Sequence, residues 1–251
     1  MLRNITLLTT ALLFVASVTF GAASEELAAA AQAGKVAFVL MYDASATGLD
    51  EARQMSTEAV RRVPGSVAIE LDRGDPANAE IVTKYRLLTV PVPVILVASA
   101  NGIITGGAVA VPANIEPLVK LVPSPKKAEI IHALSEGNVV FITASRKDMV
   151  STATVNGACA AACQQMAGKS VQITVDMDDP AETGFLTEMK VNLQSTEPVT
   201  LVANAKGQIS GMYTGAVQVT DLVTAATKTV GGCCPSTVAK PDASCAPTQK
   251  K

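Results

Sequence analysis

Tryptophan is absent, and aromatic residues make up only 3% of the 251 residues. A chain so poor in rings has no stacking platform for bases or sugars, and its cores must be filled by Val, Ile, Leu, Ala and Met. There is a single histidine, His132, so no Ser-His-Asp relay is assembled around it and no His-rich metal spacing occurs. The glycines form no phosphate cradle. Lys and Arg number 20 against 22 Asp and Glu, a net charge of −2 without a long basic run. Nucleic acid is thereby excluded as an expected partner, and an anionic membrane surface is a poor one.

What is present is a repeat. PVILVASANGIITGG at 93–107 and PVTLVANAKGQISGM at 198–212 are identical at nine of fifteen positions. Both read as an apolar strand, a tight turn at Gly102 or Gly207, and a second strand, which is a β-hairpin introduced by a proline.

The start of the chain reads as an export signal. Arg3 precedes an apolar run over 5–20, and Gly21, Ala22 and Ala23 offer a small-residue cleavage point after Ala23. The run is shorter than the roughly 20 residues a spanning helix needs, so the membrane enters only through an uncleaved signal. The expected mature protein is periplasmic or extracellular, in a compartment where disulfides persist.

The rest falls into two copies, 24–122 and 123–229, followed by a Cys-containing tail at 230–251. In the first copy SEELAAAAQAG at 24–34 reads as a helix capped by Ser24 and ended by Gly34. KVAFVLMYD at 35–43 is a strand buried on both faces. An amphipathic helix follows, with Leu49, Ala52, Met55 and Val60 on one stripe, and Pro64 and Gly65 stop it. A strand over 66–71 leads into one helix over 75–87, capped by Asp75 with Pro76 at its first position. The hairpin and a helix over 115–121 close the unit. The same order then begins again at 125–137 and 138–144, with a helix over 149–166 interrupted at Asn156 and Gly157, a strand over 171–176 and a helix over 178–191. Asp176, Asp178 and Asp179 read as helix capping rather than a calcium loop.

The element order, with a proline before the hairpin and a helix after it, resembles the thioredoxin superfamily over both copies. The resemblance implies an α/β fold of two tandem thioredoxin-like domains, each a mixed β-sheet flanked by helices. It also implies cis peptides before the hairpin prolines, Val92-Pro93 and Glu197-Pro198. The usual helix-to-proline distance fits Pro91, the internal repeat fits Pro93, and the repeat decides for Pro93. Redox enzymes of that family carry Cys-x-x-Cys between the first strand and the next helix. Here DASATGLD at 43–50 and ASRKDMVS at 144–151 stand in those places without a cysteine, and Ser45 and Ser145 lack a base to activate them. Pro93, Pro198, Val92, Glu197, Ser45 and Ser145 are then expected to form binding faces for a polypeptide or another exported protein.

Five cysteines remain. Cys159 and Cys163 are spaced to share one helix face, which suits either two ligands to a soft metal such as Cu(I) or Zn(II), or two packed core residues. Cys233, Cys234 and Cys245 lie in the tail. Two classes of function follow. One is a redox-inactive binding module, and the other is soft-metal binding or disulfide exchange through these thiols.

Overall fold

The computed structural model describes residues 22–109 and 114–229. The chain divides between Val122 and Pro123 into two compact units, and each has its own core.

In the first unit α1 (Ala23–Gln32) leads into β1 (Ala37–Tyr42), α2 (Leu49–Arg62) and β2 (Val67–Asp72). α3 (Ala79–Lys84), the hairpin strands β3 (Val94–Ala98) and β4 (Ile104–Val109), and α4 (Glu116–Leu121) complete it. The sheet order is β2-β1-β3-β4. β2 runs parallel to β1, while β3 runs antiparallel to both β1 and β4. β1 and β3 are central, and they are apolar along nearly their whole length because both faces are covered. On one face Val39, Met41 and Leu96 pack with Leu27, Ile81 and Leu87 from the α1 and α3 side. On the other, Phe38, Leu40 and Ile95 pack with Ala52, Met55 and Leu118 from α2 and α4.

The second unit repeats this with α5 (Pro125–Ser135), β5 (Val139–Ser145), α6 (Thr152–Gln165), β6 (Ser170–Asp176) and α7 (Thr183–Glu188). β7 (Val199–Ala203), β8 (Ile209–Thr214) and α8 (Val219–Thr227) close it, and the sheet order is β6-β5-β7-β8. The repeat reaches fine detail. Both hairpins turn through glycine at positive φ, +76° at Gly102 and +75° at Gly207, a conformation only glycine adopts without strain. Both carry a bulge, at Val97 and Ala98 and at Val202 and Ala203. Hydroxyls of Thr105 and Ser210 donate to the Val97 and Val202 carbonyls there. A Cβ at Gly211 would lie 2.9 Å from that of Ala225, so glycine lets α8 settle on β8.

Several sequence expectations are corrected. Ser24 is not the cap of α1: Ala22 holds that position without a side-chain bond, and the Ala23 amide instead donates to Asn78 Oδ1 at 2.9 Å. A distant side chain does what a local hydroxyl was expected to do. The helix over 75–87 is broken. Asp75 caps Pro76–Asn78, a 3₁₀ turn, ahead of α3, and Arg86 at φ 54° ends the helical run before a second 3₁₀ turn, Leu87–Thr89. Its counterpart over 178–191 shortens to α7, preceded by turns in which Asp176 and Asp179 accept from the Asp178 and Ala181 amides. Conversely α6 runs unbroken through Asn156 and Gly157. Gln172 on β6 donates to Asn156, and Val155 and Cys159 pin the helix to the sheet, which outweighs the roughly 1 kcal/mol propensity cost of one glycine.

Candidate functional site

At the ends of β1 and β2 three loops converge: the one after each strand and the one entering the hairpin. In the first unit Asp43 follows β1 and Arg73 follows β2. Arg73 Nη1 donates to the carbonyls of Leu87, Leu88 and Val90 at 3.2, 3.0 and 2.8 Å, while Nη2 donates to the Asp43 carboxylate. The two side chains are 16% and 20% exposed. Asp43 also accepts from the Ser45 hydroxyl at 2.6 Å and the Ser45 amide at 2.8 Å. The Ser45 hydroxyl first, and the Arg73 guanidinium next, hold its carboxyl down at about 2.

In the second unit Arg146 follows β5, the place Asp43 holds after β1. Its Nε donates to Asp178 at 2.8 Å, its Nη1 to the Ser195 carbonyl at 2.8 Å, and its Nη2 to the Leu193 carbonyl. The charges of the pair are therefore exchanged between the copies, and the guanidinium holds the pre-hairpin loop in both.

A cleft of about 620 Å³ opens beside this clamp in the second unit, between residues 148–151 and 194–197. Val150 stands in it 98% exposed, with Asp148 and Glu197 on its walls. In the first unit the loop entering the hairpin exposes Leu88 at 68%.

The residues expected to form the site are distributed unevenly. The Val92-Pro93 peptide is cis, Val92 packs against the core, and Pro93 is half-buried. The Glu197-Pro198 peptide, expected to be cis, is not: among the described residues the cis bond is at Val92-Pro93 alone. The Glu197 backbone is instead fixed by Ser195, whose hydroxyl donates to its carbonyl at 2.7 Å and accepts from its amide at 3.2 Å. Pro198 is buried, and its carbonyl receives the Gly215 amide, so Glu197 and not Pro198 faces the cleft. Ser45 is exposed in its loop, whereas Ser145 is a buried strand end, not a loop residue.

Cys159 and Cys163 are free thiols on α6. Cys159 is wholly enclosed in the α6 side of the core. Burial pushes its thiol up, against a smaller opposite pull from the Thr143 hydroxyl 3.7 Å away. A thiol that keeps its proton is a poor metal ligand, and among the described residues no three His, Cys, Asp or Glu side chains gather for a metal. Cys233, Cys234 and Cys245 lie outside the described residues, as does the signal run up to residue 21. No described helix is long and apolar enough to cross a membrane. His132 is exposed on α5, 3.7 Å from Glu136.

Two parallel strands joined through a helix, then an antiparallel hairpin entered by a proline, with helices on both faces, recur in each unit. Each unit has the strand order and helix placement of a thioredoxin-like fold. No protein-family model matches it, and no curated protein does. Solved structures do. The first two thioredoxin domains of Saccharomyces cerevisiae Eps1p match at 9% identity and TM-score 0.30, over 83% of this chain and 96% of that one. The N-terminal domain of alkylhydroperoxide reductase AhpF from Enterococcus faecalis matches at 16% and 0.27, over 81% and 98%. Human ERp44 matches at 11% and 0.35, over 80% and 54%. At such scores the detail rests on this chain's own strand order. The arginine clamps sit at the sheet end that carries the cysteine-free loops 43–50 and 144–151, and neither arginine was picked out from the sequence. The signal was there, since Arg73 and Arg146 each fall within one residue of a strand end.

Proposed function

We propose that this is an exported, redox-inactive tandem thioredoxin-like protein that binds polypeptide through the loops beside its hairpin prolines. The observation that carries the reading is the pair of arginine clamps. Where the fold would hold two thiols, Arg73 and Arg146 tie the pre-hairpin loops to Asp43 and Asp178, and a guanidinium exchanges no electrons. What remains open to a partner is aliphatic: Val150 in its cleft and Leu88 on its loop. Exposed aliphatic side chains on loops braced by a rigid sheet are what a binding surface needs. Export is supported by the basic, apolar and small-residue order of residues 1–23.

The test uses the mature protein and a reduced, carboxymethylated unfolded polypeptide as probe. Saturable binding is expected, weakened about tenfold or more by Val150→Asp, together with no catalysed reduction of a disulfide peptide by dithiothreitol. Disulfide turnover, or binding indifferent to both Val150→Asp and Leu88→Asp, overturns the reading.

A further inference from the structure

Resting on that reading, we infer that the cleft of the second domain selects an extended segment in which lysine or arginine flanks an aliphatic residue. The charge balance of the cleft sets this preference. Arg146 lines it but is spent, since its guanidinium is bonded to Asp178, Leu193 and Ser195. Asp148 and Glu197 stand on the walls, and among the described residues neither carboxylate has an ion-pair partner. Glu197 is exposed, with its carboxylate over Gly215, where an added Cβ would lie 2.4 Å from Oε2, and its charge is left unanswered. Lys147 is exposed next to Asp148 but is not among the residues lining the cleft.

Val150 is exposed in the same cleft, two residues along the loop from Asp148 and across from the wall that carries Glu197. The backbone amide and carbonyl of Thr196, on the facing wall, take no hydrogen bond among the described residues. An extended chain satisfies all three features at once. Its main chain bonds Thr196, an aliphatic side chain covers Val150, and cationic side chains on either side reach Asp148 and Glu197. An acidic or neutral flank leaves the carboxylates unmatched and is repelled or ignored.

Three labelled peptides of equal length test this by fluorescence anisotropy on the mature protein. They share one aliphatic core and carry lysine, glutamine or glutamate flanks. The lysine peptide is expected to bind about tenfold more tightly than the glutamine one at low salt, as two partly screened ion pairs allow. Raising the salt or introducing Asp148→Asn with Glu197→Gln should remove that margin, so that the lysine and glutamine peptides bind the same protein equally. Equal affinities, or a preference for glutamate, overturn the charge selection while the binding reading stands. If no peptide binds, or if neither Val150→Asp nor Leu88→Asp changes any of them, the binding reading itself falls.

Discussion

Arg73 and Arg146 occupy different places in the two repeats and yet hold the same backbone atoms. Counted back from the hairpin proline, the carbonyls five and three residues earlier belong to Leu88 and Val90 in one copy and to Leu193 and Ser195 in the other, and each pair is bonded by one guanidinium. The acid has changed sides with the base, from Asp43 after β1 to Asp178 after β6. A planar group with five donors can serve two carbonyls and a carboxylate at once from either direction. The requirement preserved across the copies is thus the bracing of the loop, and the identity of the strand that supplies the brace is free.

Removing a brace should loosen its own domain. Arg73→Met strips donors from three carbonyls and leaves Asp43 without its cation, and should lower the urea midpoint of the first domain. Arg146→Met should cost less, because Asp178 is exposed. Urea unfolding followed by amide exchange would show protection lost first over 87–92 in one variant and over 193–197 in the other. Unchanged protection would show the bonds to be incidental.

The acid limb of stability has a predicted sign. Asp43 is held at about 2 in the folded protein, below the unfolded value of about 4. Its contribution is complete above the unfolded value and is lost as the pH falls towards 2. Asp43→Asn should therefore lower the urea midpoint at pH 6 and narrow the gap to the parent protein between pH 4 and pH 2. A gap of constant width across that interval contradicts the assignment.

Thiol reactivity should separate two cysteines one helical turn apart. Cys163 is half-buried and Cys159 is enclosed, with its thiol pushed up by burial. Timed alkylation of native protein at pH 8, read by peptide mass spectrometry, is expected to modify Cys163 first and Cys159 only on unfolding. Comparable rates would mean that α6 opens readily from the sheet.

The start of the first domain can be tested by truncation. Ala23 is buried, and its amide answers the buried Asn78 side chain at 2.9 Å. A chain beginning at Ser24, as cleavage after Ala23 would leave it, loses that bond and that methyl group. It should be less stable by about 1–2 kcal/mol than one beginning at Ala22. Asn78→Ala should erase most of the difference. Equal melting temperatures for the two chains refute the coupling.

The wide features of the fold could be read from residue order because they depend on local composition. Runs such as AFVLM and VVFITA suit strands covered on both faces, proline is kept out of the middle of a ladder, and glycine marks each hairpin turn. Helix edges were read less well. The cap of α1 comes from Asn78, 55 residues away, and α6 crosses Asn156 and Gly157 because its buried face is anchored to the sheet. Propensity carries no information about either.

The sequence by itself determined the duplication, the two sheets, the absence of a Cys-x-x-Cys and the hairpin prolines, all carried by residues close together in the chain. Tertiary structure alone decided which of those residues face outward. It buried Pro198 and Cys159, exposed Val150, fixed Glu197 through Ser195, and brought Arg73 and Arg146 onto loops 14 to 17 and 47 to 49 residues distant. Such contacts are set by where strands end in space, and a guanidinium long enough to reach across that end meets whichever carbonyls the packed sheet presents to it.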